Sequence, residues 1–398
     1  MRNLRVLHVI SSVDPAGGGP IEGLRQLSSI YRSKNVDAQV ACLDLPDSKF
    51  IKDFPLPVHP LGPTGWGGYR YSSRLPGWLR ANRHNYDVVV VNGLWQYHGF
   101  ATWLALHHTS TPYLVFPHGM LDPWFKRQYP LKHLKKWLYW PWGEYRVLRD
   151  AYAVCFTSEE EMRLAAESFA LYRVNPVVIG YGTHPVRFDV QRKKEEFLEE
   201  HPALRGKRLA TFVGRIHPKK GCDLLIKAFA STLARELDWQ LVMMGPDQVG
   251  WQSKLEQLSA QLGIADRITW TGMLQGDRKW AAFSAMEVFV LPSHQENFGI
   301  VVAEALACRK PVLISNKINI WREVQAAEAG IVAEDTLEGT IDLLRTWGGM
   351  TDAERAVMAD RALACFRDHF DLEKGAEILL GIFDQVVGDK AGPIQNHL

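Results

Sequence analysis

Glu296 and Glu304 stand eight positions apart in SHQENFGIVVAEALACRKP (293–311), across the point where an apolar strand gives way to an apolar helix. Asn297, Phe298 and Gly299 fall in the turn between them, and Ile300 opens the helix. Free backbone N–H groups at such a turn, together with the helix dipole, favour an anion. A carboxylate in the mouth of that turn accepts hydroxyls, so the arrangement suits a phosphorylated sugar. Two incidental acids at the start of a surface helix would read the same way, and the spacing alone leaves both readings open. A second cluster lies upstream. LATFVGRIHPKKGCDLLIKAF (209–229) runs strand, Gly214-Arg215, loop, Lys219-Lys220-Gly221, helix. Arg215 can fork onto two phosphate oxygens, whereas Lys220 acts as a compact charge. The spacing is not that of a Walker loop.

These groups need a scaffold that brings strand ends together. Short apolar strands alternate with helical patterns throughout, near 5–10, 38–43, 88–92, 113–117, 153–157 and 176–179, then near 209–214, 240–244, 267–271, 287–291 and 311–315. Runs such as VVVV (88–91) are apolar on both faces, as in a covered parallel sheet. The pattern predicts α/β architecture with doubly wound layers. At 398 residues the chain exceeds one ordinary core, so two domains are expected. IGYGTHP (179–185) is the expected boundary. The division predicted is 1–182 plus 376–398, the last a returning helix, and 183–375.

GRIHPKKG, MMGPDQ (243–248), WTGML (270–274) and ENFGIVVAE (296–304) resemble, in order and spacing, the C-terminal half of glycosyltransferase family 4. VLHVISSVDPAGGGPIEGLRQLS (6–28) and PHGM (117–120) resemble its N-terminal half more weakly. The resemblance implies the GT-B fold, two Rossmann-like domains facing a central cleft, and sugar transfer from a nucleotide donor with retention of configuration. It implies that Arg215 and Lys220 meet the diphosphate, Glu296 the sugar hydroxyls and Glu304 the ribose diol. Gly245 and the turn Asn297–Ile300 would also lie against the donor, and backbone groups around Met273 and Leu274 would face the base. Front-face substitution is favoured. Glu296 acting as a covalent nucleophile is the alternative that retention also permits.

Gly17, Gly18 and Gly19 follow the first strand and let backbone approach a diphosphate closely. The strict GxGxxG is broken by Glu22, so their assignment to the donor rests on the resemblance. His118 ends strand YLVFP; a satisfied terminal histidine is the ordinary reading, and the matching family position contacts the donor sugar. An imidazole there could donate to a hydroxyl or to developing charge. No DxD pair occurs in the chain. Leaving-group charge is therefore expected to fall to Arg215, Lys220 and helix-end amides, with no metal or cofactor.

A net charge of +2 offers no bulk attraction to nucleic acid, so cationic surfaces must be local. Residues 125–149 form one: Lys126, Arg127, Lys132, Lys135, Lys136, Arg146 and Arg149 against Glu144, with Trp137, Trp140 and Trp142 between them. That composition suits an anionic membrane surface, and equally a helix with a solvated basic face and tryptophans in the core. With membrane contact, a lipid-linked saccharide becomes the natural acceptor; otherwise a saccharide. Five scattered cysteines without CxxC predict reduced thiols in a cytoplasmic compartment. The opening MRNLRVLHVISS reads as a first strand rather than an export signal. The expected donor is UDP-glucose, with GDP-mannose as competitor. A sugar-nucleotide epimerase and a non-catalytic donor-binding scaffold are the other readings, and no motif specifies the oligomeric state.

Overall fold

A computed structural model of the chain describes residues 4–236 and 238–391. Two units emerge from the packing: Met1–Tyr181 with Leu372–Leu398, and Gly182–Asp371. The second division lies earlier than the 375/376 read from sequence. Phe366–Phe370 closes as a π-helical turn, and Leu372 already begins the last helix, Leu372–Ala391. Residues 392–398 of the expected returning tail lie outside the described residues.

The first unit holds seven strands: β1 (Leu4–Ile10), β2 (Val36–Cys42), β3 (Val58–Pro60), β4 (Val88–Asn92), β5 (Tyr113–Phe116), β6 (Ala153–Phe156) and β7 (Pro176–Val178). Their order is β3-β2-β1-β4-β5-β6-β7, every pairing parallel. In β4, Val89 and Val91 join one core while Val88 and Val90 join the other, so the VVVV run serves two faces. Leu379, Phe383 and Val386 of the final helix complete the second core against Val6, Val88 and Val90. Connections leave β1 and β4 in opposite directions. Their carboxyl ends therefore open a crevice, where ligands of doubly wound sheets bind.

The second unit repeats the plan with β8 (Arg208–Val213), β9 (Trp239–Met244), β10 (Ile268–Gly272), β11 (Val288–Leu291), β12 (Val312–Ser315) and β13 (Gly330–Ala333). The order is β10-β9-β8-β11-β12-β13, again parallel, and the switch point lies between β8 and β11. Two strands were not legible in the sequence, β3 and β13. Both are sheet edges, short and half-exposed, and β3 ends in a proline that only an edge tolerates.

The basic segment is not one helix. It divides into Trp124–Gln128, Pro130–Tyr139 and Glu144–Arg149. Pro130 starts the second, where a missing N–H costs nothing. All five cysteines are free and buried. Among the described residues, no helix is long and apolar enough to cross a membrane.

Candidate functional site

The β8/β11 switch point collects the acidic and basic motifs of the second unit. β8 ends at Val213, and the chain runs through Gly214 and Arg215 into a short turn, Pro218–Lys220. Gly221 then caps helix Cys222–Ser231 with φ 67°, and a Cβ there would sit 2.2 Å from the Pro292 carbonyl oxygen. Only glycine lets this loop lie so close to the end of β11. From the other side, His294 N–H donates to the Lys219 carbonyl at 2.8 Å, and Glu296 N–H donates to Lys317 O at 2.9 Å. Backbone bonds thus fix both loops.

The result is an ion pair between Lys220 Nζ and Glu296 Oε1, with side chains only 13% and 17% exposed. Burial, then the charges of Lys219 and Arg215, pulls the Lys220 ammonium down to about 7. The Glu296 carboxylate beside it favours the charged form. Arg215 is exposed and reaches Gln248 Oε1 at 3.5 Å. Gly299, φ 73°, caps helix Ile300–Ala307, whose first amides are open to an anion. Glu304 lies inside that helix, 2% exposed, and accepts from Lys279 Nζ at 2.5 Å.

The other expected donor contacts divide by exposure. Gly245 follows β9, and a Cβ there would meet Gly214 O at 1.8 Å, so the two strand ends touch backbone to backbone. Leu274 is buried and Met273 is 59% exposed. Asn297 accepts from Asn319 Nδ2 at 3.5 Å. Phe298 is buried edge-on against Phe370, 5.8 Å between ring centres, which leaves only its backbone for a ligand.

In the first unit, Gly17, Gly18 and Gly19 are exposed between β1 and helix Gly19–Ser33, with Gly18 at φ 84°. Asp44 steadies the approach to this loop, accepting from Ser12 Oγ at 2.7 Å, Val13 N at 2.8 Å and Arg70 at 3.0 Å. His118 follows β5 in the left-handed region, φ 50°, an uncommon state for a non-glycine residue. The buried carboxylate of Glu161 holds that turn by accepting from Gly119 N at 2.6 Å and Thr157 N at 2.8 Å.

The His118 ring contacts a polar relay across the β1/β4 switch point. Its Nε2 lies 3.3 Å from Asn92 Oδ1, Asn92 Nδ2 lies 3.2 Å from His8 Nδ1, and His8 Nε2 lies 3.0 Å from Tyr31 Oη. Burial lowers His118 to about 4; burial and then His118 lower His8 to about 3. Both rings are therefore neutral at ordinary pH. With Asn92 Oδ1 accepting from Nε2–H, His118 Nδ1 keeps a lone pair for a hydroxyl. His8, Asn92 and His118 line one cavity with Gly23 and Tyr181.

Reading the sequence missed Asn92, His8, Lys279 and Gln248. Asn92 and His8 carried a faint signal, polar residues inside apolar strands; Gln248 closes the MMGPDQ motif without being singled out by it, and Lys279 carried none.

Two parallel doubly wound units, one with a carboxylate and cation paired at its switch point, define an α/β fold with a ligand crevice at each switch point. The family model for "Glycosyl transferase 4-like domain" matches residues 18–182, and that for "Glycosyl transferases group 1" matches residues 193–345. The chain is 32% identical over 195 residues to D-inositol 3-phosphate glycosyltransferase of Rhodococcus jostii, covering 44% of this chain and 43% of the relative. It is 27% identical over 257 residues to alpha-D-kanosaminyltransferase of Streptomyces kanamyceticus, covering 62% and 63%. The chain thus aligns with less than two thirds of the length of these relatives. In fold it is similar to Anabaena Alr3699/HepE in complex with UDP, at TM-score 0.75 and 19% identity over 97% of this chain and 100% of that one. The chain belongs to the GT-B glycosyltransferases.

Proposed function

We propose that this chain is a retaining, metal-independent hexosyltransferase that moves a sugar, glucose from UDP-glucose first, to a saccharide or lipid-linked saccharide. The observation that carries the proposal is the Lys220–Glu296 pair at the β8/β11 switch point, beside the open amides of helix Ile300–Ala307. An arriving diphosphate competes with Glu296 for the Lys220 ammonium. Arg215 supplies a second cation, and the helix-start amides supply fixed dipoles. Together they neutralise the leaving group, the role a divalent ion plays elsewhere. Glu296, released from Lys220, accepts hydroxyls of the sugar. Glu304, paired with Lys279, accepts the ribose diol. His118, neutral, offers Nδ1 to a sugar hydroxyl. Retention by front-face attack follows if the departing phosphate takes the acceptor proton.

The UDP preference draws on the fold neighbour that binds UDP; GDP-mannose is the competing donor. For the acceptor side, the exposed apolar and basic segment 125–149 supports contact with an anionic membrane surface. A thermal-shift panel of UDP-, GDP- and ADP-sugars tests the donor, because a ligand bound only by the folded state raises Tm. A UDP-glucose shift that survives EDTA, followed by transfer with retained configuration, is the expected outcome. Loss of turnover with chelator and rescue by Mn²⁺ would overturn the metal-free mechanism.

A further inference from the structure

Helix Pro130–Tyr139 is amphipathic the wrong way round. Leu131, Leu134 and Leu138, which share one face at helical spacing, are 78%, 55% and 63% exposed. Trp137 and Trp142 are exposed beside them. The opposite face carries Lys132, exposed, and His133 and Lys136, half-buried; with Tyr129, Trp95, Phe169 and the buried Asp122 they line a cavity in the first unit. Water rewards the reverse arrangement, with leucines inside and lysines out.

The cavity wall is aromatic and cationic at once. Lys136 Nζ stands 4.3 Å from the Trp95 ring centre and 5.6 Å from Phe125, and Lys132 Nζ stands 4.9 Å from Tyr129. The His133 ring stacks on Phe169 at 4.8 Å. Among the described residues, no carboxylate pairs with Lys132 or Lys136. Burial, with Lys132 nearby, draws the Lys136 ammonium down to about 8, while the buried Glu144 pulls it back up. Like charges at i and i+4 repel, so this pair is unfavourable until an anion sits between them.

We propose that this cavity receives the phosphate of an anionic lipid headgroup, with Lys132, His133 and Lys136 as its donors, while Leu131, Leu134 and Leu138 enter the bilayer. The inference rests on the membrane reading above and deepens it. Leucines take the acyl region, tryptophans the interface, and the cations behind them reach the phosphate layer. The bilayer is the one surroundings that satisfies both faces of this helix together. A solvated basic helix leaves the leucines unexplained, and an apolar protein partner leaves the lysines so.

The experiment is sedimentation of the full chain with vesicles of phosphatidylcholine alone, or with a third of the lipid as phosphatidylglycerol. Each cation contributes about fivefold to binding at an anionic surface, so Lys132 and Lys136 together give about 20- to 30-fold preference for the anionic vesicles. Lys132→Ala/Lys136→Ala should reduce the preference by about that 20- to 30-fold and keep weak binding to both vesicle types. Leu134→Asp/Leu138→Asp should abolish sedimentation with either. Melting temperature and circular dichroism of both variants control for folding. Equal binding of wild type to the two vesicles, or an unchanged preference in the lysine variant, overturns the headgroup site. So does a Lys132/Lys136-dependent melting shift with inorganic phosphate alone in a chain that binds no vesicle. The donor panel is read on wild type without vesicles, so failure of the donor reading and failure of this one are separate results.

Discussion

Replacing Lys220 with alanine removes one side of a largely buried ion pair and one of the cations assigned to the diphosphate. The two losses separate in a double-mutant cycle with Glu296. Breaking a fully buried pair costs about 3–5 kcal/mol, because the remaining charge stays buried alone. An open surface pair is worth about 0–1 kcal/mol. Exposures of 13% and 17% put this pair between the two cases, so about 2 kcal/mol is expected for Lys220→Ala in the ligand-free protein. For a cooperative unit of this size, about 2–4 °C accompanies each kcal/mol, and Tm should fall by about 4–8 °C. In Lys220→Ala/Glu296→Ala no charge is stranded, and Tm should recover much of that loss. Activity should not recover. An ammonium about 4 Å from a phosphate charge is worth about 4 kcal/mol at an effective dielectric of about 20. Breaking the Glu296 pair and desolvation offset part of it. About 2–3 kcal/mol remains, or about 10²-fold in kcat/KM, together with a smaller donor-induced melting shift. The assays are differential scanning fluorimetry with and without donor, and nucleoside-diphosphate release. A double variant no more stable than Lys220→Ala, or a single variant with wild-type turnover, would refute the reasoning.

Glu296→Gln should shift the pH dependence of donor binding to lower pH. Burial and the Lys219 and Arg215 charges already bring Lys220 to about 7 in the native chain, so wild-type calorimetric Kd should weaken as pH rises through about 7, and loss of the Glu296 charge should move that decline to lower pH. Gly221→Ala should cost more than Gly250→Ala, although φ is 67° and 68° at the two positions. Strain is common to both, about 1 kcal/mol, but only at Gly221 does the new methyl meet a carbonyl oxygen, and chemical denaturation should separate them by about 1–2 kcal/mol. Glu144 is fully buried with Oε1 accepting from Trp95 N at 2.6 Å, and burial raises its pKa to about 8. The folded state therefore keeps a proton that the unfolded state has lost, so its contribution is complete below about pH 4.5 and disappears as pH rises through about 8. Glu144→Gln should flatten the fall of Tm over that window; an unchanged profile would remove Glu144 as its source.

The second unit was legible because its chemistry lies along the chain. Arg215 and Lys220 belong to one strand–loop–helix, Glu296 and Glu304 to the next such unit around the switch point, and parallel winding brings their strand ends together. The first unit hides its chemistry across strands. His118 follows β5, while Asn92 stands on β4, His8 on β1 and Tyr31 on the helix after β1. Each is one polar residue in an apolar run, and periodicity assigns such a residue no partner. Edge strands β3 and β13 were invisible for a related reason: half-exposed pairs need little apolar character.

Where the chemistry was legible, its resting state was not. GRxxxKKG and ENFG suggest cations waiting for phosphate, yet Lys220 is already engaged with Glu296. This matters physically. A buried ammonium with Arg215 and Lys219 nearby would shed its proton near neutral pH, and a neutral amine stabilises no leaving group. In the proposed mechanism the carboxylate favours the charged form of Lys220 until a diphosphate replaces it, and the displaced carboxylate is then free for the sugar hydroxyls. One exchange of partners thus prepares both groups. On this mechanism, replacing either Lys220 or Glu296 alone should disturb the other.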